Sequence, residues 1–329
     1  MTVALPRSGE RARAVALVRR VNLGVVVFLA LYVAIGLLQP TYLEPAGAMN
    51  FLRRAAPLAI LASGQLFVLV SGGFDLSVGS LVTLTVIGAS MLTANDPSKT
   101  WWAIGALYGV GLLVGLINGA VVAYLKTPSI IATLGTLLSV NGVAMMWSGG
   151  SPRGYLPDNF RMFGRFVFHD VPVIKIFPIA VAVLVVACAF AQWGLHGTVF
   201  GRRVLAVGDN ARAAELAGVK VEFVRLGVFI ISALSAVTAG VLLGGFGGVS
   251  VDVGRGLELQ AIAACVVGGV QLMGGRGTLV GAVAGALTLT ALFTLLTLLG
   301  LPQPLKETAQ GLILIAAVAI GAWRRRRAV

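Results

Sequence analysis

Residues 179–190 read IAVAVLVVACAF, an apolar run without a charged residue. The run does not alternate between apolar and polar residues, as a strand of a membrane barrel would. Because backbone polar groups cannot stay unpaired in lipid, only an α-helix or a closed barrel crosses a bilayer. A crossing helix needs roughly 20 mostly apolar residues, and the surrounding segment 172–194 supplies that length. The stretch therefore predicts a transmembrane helix.

The same pattern recurs along the chain, which is 58% apolar and 11% charged. A soluble protein built around one core would not carry so many apolar runs of this length. We therefore expect an all-α integral membrane protein, a single transmembrane domain over residues 1–329 with about ten helices. The predicted spans are 21–38, 56–73, 78–94, 101–124, 128–148, 172–194, 226–246, 258–274, 279–300 and 308–323.

The net charge of +13 could indicate a nucleic-acid partner, but the Lys and Arg residues lie between or beside the apolar runs. Such an excess in short cytoplasmic segments is the usual signal of membrane orientation, so we expect no nucleic acid and both termini in the cytoplasm. This topology gives a cytoplasmic N-terminal tail (1–20), a periplasmic loop (149–171) and a cytoplasmic loop (196–225). Residues 7–38 lack a convincing cleavage site, which favours an uncleaved first span.

The segment 71–80 places a single carboxylate, Asp75, between two apolar runs. Burying a charge at the centre of a span costs about 2.5 to 3.5 kcal/mol on insertion scales, so something must offset that cost. In one interpretation, Asp75 caps the third span by accepting the free amides of Ser77 or Val78. In the other, the segment is a non-helical break that lines a translocation pathway. The two can coexist, and the candidate gate residues are Gly72, Gly73, Asp75, Ser77 and Gly79, with Gln65 and Asn118 in neighbouring spans.

A short echo links residues 72–76 to residues 268–272, because both begin with two glycines and end with a leucine. Transporters often carry paired, glycine-interrupted helices near their pathway. The echo is a hint of a second broken helix rather than proof of a repeat.

The polar loop 196–225 has the features of a docking element. Asp209 or Asn210 can cap a short helix over 211–217, which Gly218 can end in a left-handed conformation. Alanines and Leu216 give that helix a small apolar face. A solvated, positively charged loop explains the same charges without a partner, and the residues alone leave both interpretations open.

Several arginines run against the charge bias because they fall in the predicted outer segments. They can reach lipid phosphates with their long side chains. The arginines are Arg53, Arg54, Arg153, Arg161, Arg165 and Arg255.

Enzyme and metal patterns are missing from the sequence. No phosphate-binding loop ends in Gly-Lys-Ser/Thr, so the chain cannot itself use ATP by that route. His169 and His196 stand alone, and Cys188 and Cys265 lie inside apolar runs without metal-ligand spacing. We expect no enzymatic activity, no cofactor and no metal. With so few charges inside the spans, a neutral hydroxylated solute is a better cargo than an ion.

Four motifs occur in one order along residues 60–320. They are GQ (64–65) with GGFDLSVGS (72–80); GLING (115–119) with KTP (126–128) and ATLGT (132–136); GRRVLAVGDN (201–210) with AA (213–214) and Gly218; and LEL (257–259) with AIA (261–263), GG (268–269) and GGRGT (274–278). Together they resemble the ribose, xylose and arabinose type permeases of bacterial ATP-binding cassette (ABC) importers. Asp209, where that family more usually has a small residue, and Phe74, in place of a common isoleucine, depart from the pattern.

The resemblance implies a permease of the bacterial inner membrane that works by alternating access. Its partners would be a cytoplasmic ABC ATPase, a periplasmic solute-binding protein, and a second copy or a related permease, and its cargo a sugar or polyol. Loop 196–225 would be the coupling loop, and Arg53, Arg54 and Arg255 would help to dock the binding protein. The implied coupling residues are Gly201, Arg202, Arg203, Asn210, Ala213, Ala214 and Gly218.

An alternative function is an ion-coupled secondary transporter of a small neutral solute. Such a transporter needs a titratable or ion-coordinating group inside the membrane. Asp75 is the only serious candidate in the sequence.

Overall fold

Proline and glycine set the ends of the apolar helices. Pro45 opens one long helix at its first position, where a missing amide donor has no cost, and Pro178 directly precedes another. Gly149, with a φ of 67°, closes a third in the left-handed conformation. The computed structural model describes residues 23–151, 154–302, 304–309, 311–312 and 315.

The described elements, in chain order, are α1 (Leu23–Leu38), α2 (Pro45–Val70), α3 (Val78–Thr93), α4 (Thr100–Tyr124), α5 (Ser129–Ser148), α6 (Asp158–Arg165), β1 (Val167–Val171), β2 (Lys175–Pro178), α7 (Ile179–Gln192), α8 (Val199–Leu216), α9 (Val221–Gly247), α10 (Leu257–Val267) and α11 (Leu279–Leu298).

The helical membrane fold is confirmed. Within the described residues, six helices are long and apolar enough to cross a membrane: α2, α4, α5, α7 with the turn that follows it, α9 and α11. Three more, α1, α3 and α10, are apolar but shorter. Most of the predicted span 308–323 and all of the predicted tail 1–20 lie outside the described residues.

Several predicted boundaries are wrong. Helix α2 begins at Pro45 rather than at residue 56, because the arginines near its start extend from a helix instead of ending one. Residues 175–178, which the predicted span 172–194 includes, form strand β2 instead. Helix α10 ends at Val267, so residues 268–274 are not helical.

The predicted loop 149–171 contains ordered structure that its polar character did not indicate. It holds α6 and β1, and β1 pairs antiparallel with β2 to form a hairpin. The pairing joins Val167 to Pro178 and Phe168 to Phe177, with an irregularity after His169. The fold therefore adds a small β-hairpin to the predicted all-α bundle.

Helix α9 lies at the centre of the bundle, between α2, α3 and α4. Glycines every four residues on α4 let the two backbones approach closely: a Cβ at Gly115 would come within 2.7 Å of Ile230 Cα, and one at Gly119 within 2.7 Å of Leu226 Cα. Small residues at this spacing favour close helix packing in membranes.

The connections segregate to two ends of the bundle. At the α8 end, Gly208 meets Val70 and Gly275, so α8 adjoins the end of α2 and the turn after α10. At the hairpin end, the Asn159 amide donates to Pro97 O (2.7 Å), and Arg165 Nε donates to Phe246 O (3.5 Å).

Candidate functional site

The 71–77 break, which joins α2 to α3, begins with a glycine cap. Gly72 has a φ of 87°, a conformation that favours glycine, and its N–H donates to Leu69 O (2.9 Å). The N–H of Gly73 donates to Val68 O (2.9 Å). These two hydrogen bonds form a Schellman motif, so the left-handed Gly72 and its neighbour end α2.

Helix α10 ends in the same way. Gly269 has a φ of 88°, its N–H donates to Val266 O (2.9 Å), and Val270 N–H donates to Cys265 O (2.9 Å). The echo in the sequence therefore corresponds to two helices with matching ends. The equivalent glycines are Gly72 and Gly269, one residue away from the pairing that the sequence suggested.

After its cap, the break runs inside the bundle, where side chains satisfy its backbone. Phe74 N–H donates to Ser129 Oγ (3.0 Å), and Leu76 N–H donates to Thr133 Oγ1 (3.1 Å). Gln65, in the amide orientation that satisfies both groups, accepts from Asp75 N–H (3.2 Å) and donates to Asp75 O (3.3 Å). Non-helical backbone at membrane depth is tolerated only where protein buries it or it lines an aqueous cavity.

The Asp75 side chain is fully buried and begins a chain of polar contacts that links the break to two helices. Its Oδ1 accepts from Ser77 N–H (2.9 Å) and Ser77 Oγ (2.6 Å). Asn118 on α4 donates to Ser77 Oγ (2.9 Å), and Thr136 on α5 donates to Asn118 Oδ1 (2.6 Å). The break thus brings together Gln65, Asp75, Ser77 and Asn118 from the predicted gate residues.

The capping interaction does not account for the whole carboxylate. Asp75 Oδ1 accepts the Ser77 amide, as the capping interpretation expects. Asp75 Oδ2 and Ser232 Oγ on α9 form no well-aligned hydrogen bond within the described residues, although the Ser232 hydroxyl lies close enough to interact with the carboxylate. A buried oxygen without a well-formed hydrogen bond is costly, so Asp75 Oδ2 is an acceptor that this conformation does not fully satisfy.

The Thr133 hydroxyl supports the break, and its loss is expected to destabilise the bundle. Thr133→Val keeps the shape but leaves the half-buried Leu76 N–H without its acceptor, at a cost of about 1 kcal/mol. The midpoint of thermal unfolding in detergent should fall. Thr297→Val is the matched control, because the exposed Thr297 hydroxyl donates only to Phe293 O in its own helix. Equal midpoints for the two variants would contradict the supporting role.

Glu258 is a site residue that the sequence reasoning missed. It lies in the first turn of α10, half-buried, and a Cβ at Gly79 would overlap its carboxylate. The neighbouring Gly254 N–H donates to Thr83 Oγ1 on α3 (3.1 Å). The available signal was an acidic residue at the start of an apolar run. The Glu258 carboxylate could move aside, but the backbone atom Gly254 O would also lie 2.6 Å from a Cβ at residue 79, which explains why that residue is glycine.

The 196–225 loop is mostly helical rather than a solvated loop with one short helix. Helix α8 starts at Val199, where Thr198 Oγ1 accepts Gly201 N–H (3.1 Å), and it kinks at Asn210 (φ −156°, ψ 102°). Asn210 Oδ1 accepts Ala213 N–H (3.0 Å), and Gly218 has a φ of 83° after the last turn. The predicted cap at Asn210 and the predicted end at Gly218 are both present.

The two faces of α8 differ sharply. Val204, Val207 and Ala214 pack into the core that also contains α2. The opposite face exposes Arg202, Arg203, Ala213 and Leu216, the last 75% exposed. Among the predicted coupling residues, Gly201 and Ala214 therefore face the bundle, whereas Arg202, Arg203 and Ala213 face outward.

Three backbones meet where α8 reaches the bundle. Gly275 N–H donates to Val70 O (2.9 Å), which ties the turn after α10 to the last residue of α2. A Cβ at Gly208 would come within 2.6 Å of Gly275 N and would overlap Val70 O. We call this contact of Val70, Gly208 and Gly275 the glycine junction. It lies directly before the 71–77 break.

The arginines predicted to dock a binding protein lie at or toward the hairpin end. Arg53 stacks over the Phe246 ring at 5.3 Å, and Arg54 Nη1 donates to Tyr42 Oη (3.4 Å) at the edge of a cavity of about 290 Å³. Arg255 is exposed between α9 and α10. None of them forms an ion pair with a described residue. Arg153 lies outside the described residues.

A family model described as a branched-chain amino acid transport system / permease component matches residues 47–318. The matched region includes the break, α8 and the glycine junction. The chain belongs to this permease family. No solved structure matches it.

Relatives in this family match nearly the whole chain. The autoinducer 2 import system permease protein LsrC of Shigella flexneri is 35% identical over 289 residues, 88% of this chain and 82% of that protein. The corresponding LsrC of Escherichia coli O157:H7 is 35% identical over 291 residues (88% and 83%), and that of Salmonella typhi 34% over 289 residues (88% and 81%). The predicted resemblance is confirmed: the chain is the permease component of a sugar importer of the ABC class.

Proposed function

We propose that this permease forms its translocation path with a second copy or a related permease. A cytoplasmic ATPase drives it, and a periplasmic binding protein delivers its solute. Residues 1–329 form one transmembrane domain of about ten spans in the bacterial inner membrane, with both termini cytoplasmic. Loop 196–225 then faces the ATPase, and loop 149–171 faces the periplasm. The charge bias and the segregation of the connections to two ends support this arrangement.

The glycine junction is the observation that carries the proposal. When the ATPases close, they displace the outward face of α8, and the junction passes that displacement to the end of α2. The break follows immediately, and a movement of Val70 therefore reaches Asp75 through five residues of non-helical backbone. In this mechanism the buried polar chain through Ser77 and Asn118 is the closed gate. Packed elements with discrete arrangements transmit such movements better than flexible loops.

The solute is a monosaccharide or a related polyol. The spans of the sequence carry few charges, which favours a neutral hydroxylated molecule over an ion. The names of the relatives, which refer to autoinducer 2 import, support a small sugar-like molecule of that kind. Arg53, Arg54 and Arg255 offer cations without ion-pair partners among the described residues to a binding protein with acidic loops.

Reconstitution tests the proposal directly. Proteoliposomes that contain the chain and its ATPase should take up labelled ribose, xylose or autoinducer 2 only when ATP and the loaded binding protein are both present. A protonophore should not change the rate. Uptake without ATP would contradict the proposal.

The alternative expected from the sequence, an ion-coupled secondary transporter, disagrees with membership of an ABC permease family. It makes a different prediction: the chain reconstituted alone would accumulate solute, and dissipating the proton or sodium gradient would abolish that accumulation.

A further inference from the structure

The turn after α10, residues 268–278, forms part of the same surface as α8. Gly274 and Gly275, with φ of 91° and 81°, bend it against α8. A Cβ at Gly274 would come within 2.6 Å of Gly208 O, and one at Gly275 within 3.2 Å of Asp209 Oδ1. Residues 272–276 therefore lie directly beside the outward face of α8.

The tip of this turn presents an apolar side chain and a cation. Met273 is 70% exposed, and Arg276 is also exposed. Elsewhere on α8, Leu216 is an exposed apolar residue, and Arg202 and Arg203 are exposed cations. An unbranched methionine adapts its shape to an apolar groove, and arginine is enriched at protein interfaces.

We propose that residues 272–276 are a second contact surface for the ATPase, with Met273 as an apolar anchor and Arg276 facing acidic residues of that subunit. The inference rests on the proposed coupling role of α8, which it extends. Gly275 N–H is hydrogen-bonded to Val70 O, so an ATPase that holds this turn holds the end of α2 as well as α8. A single docked subunit would then grip the glycine junction from both sides.

The turn is better suited to a protein than to lipid headgroups. Its exposed apolar residue and its cation lie on a turn that packs against α8, and the outward face of α8 also exposes an apolar residue and cations. A headgroup layer would select the cation alone, whereas the turn also exposes the apolar side chain of Met273. The positive φ values at Gly274 and Gly275 allow the close contacts of the turn with Gly208 and Asp209.

Site-specific photo-crosslinking tests the inference in the full chain. A benzophenone side chain placed at 273, and separately at 216, should crosslink in native membranes to a protein whose peptides include the phosphate-binding motif of an ATPase. Position 173 is the control, because Val173 is 89% exposed on the hairpin at the other end of the bundle. Position 173 should give no such adduct.

Charge substitutions give an independent readout. Met273→Asp and Leu216→Asp should each lower the amount of ATPase that co-purifies with the chain by about tenfold, and Val173→Asp should leave it unchanged. All three side chains are exposed, so folding should be preserved. Peak position in size-exclusion chromatography checks this.

The outcomes separate the inference from the function on which it rests. ATPase adducts at 216 but not at 273 would overturn the second contact and leave the coupling role of α8 intact. Lipid adducts alone at 273 would also overturn it and place the turn among headgroups. An absence of ATPase adducts at both positions would overturn the proposed coupling role itself.

Discussion

Gly208→Ala is expected to abolish most ATP-driven uptake while the ATPase still binds. The added methyl group would meet Gly275 N and Val70 O, which are backbone atoms that cannot rotate away. Overpacking of this kind costs about 1–3 kcal/mol, and the glycine junction can relieve it only by opening. The outward face of α8 is unchanged, so its own contact with the ATPase should persist. We expect uptake to fall by about tenfold or more, since misplacing the junction uncouples the break from α8.

Gly105→Ala is the matched control for this experiment. Gly105 lies within α4, and a Cβ there would meet no atom within 4 Å. Replacing a helical glycine by alanine also favours the helix by up to about 1 kcal/mol. The control variant should transport normally. Normal uptake by both variants would show that the contact of α8 with the turn and α2 carries no movement.

The positions of the helices were largely predictable because hydropathy depends on composition, which is local. The cap at Asn210 and the helix end at Gly218 were predictable for the same reason. By contrast, the sequence did not predict that α2 starts as early as it does. Arg53 and Arg54 lower the local hydropathy there, although a helix tolerates both residues. The β-hairpin was missed because two short strands stabilise each other only when they pair.

For the site, the sequence predicted which residues are unusual but not which other residues they contact. The sequence identified Asp75, Gln65 and Asn118 as unusual polar residues, and the structure brings them together. It could not reveal that Ser129 and Thr133 satisfy the backbone of the break, since that depends on where α5 packs. Nor could it distinguish Gly208 from the other glycines, because the reason for a glycine is the backbone that it meets.

Asp75→Asn is expected to impair uptake by about tenfold or more while the protein remains assembled. The amide oxygen of the new side chain can still accept from the Ser77 amide and hydroxyl, so the cap survives. Its amide nitrogen would take the place of Oδ2 and could donate to Ser232 Oγ, which has no partner within the described residues. A neutral amide also costs less to bury than a carboxylate.

The variant should therefore be at least as stable as the natural protein but open less readily. Filling the unused hydrogen-bonding capacity stabilises the closed arrangement, and the populations of closed and open gates shift accordingly. Thermal unfolding in detergent and ATP-driven uptake in proteoliposomes measure the two effects. Asp75→Ala is the companion variant, since it loses the cap as well and should lower both stability and uptake.

Together the two variants separate the interpretations of this carboxylate. If Asp75 is only a cap, asparagine should preserve uptake, because it preserves both hydrogen bonds to Ser77. If Asp75 carries a proton or an ion, asparagine should abolish a dependence on the ion gradient that the natural protein must then show. The hypothesis that Asp75 belongs to the gate predicts neither result. It predicts a stable, ATPase-bound permease whose uptake is slow and independent of the gradient.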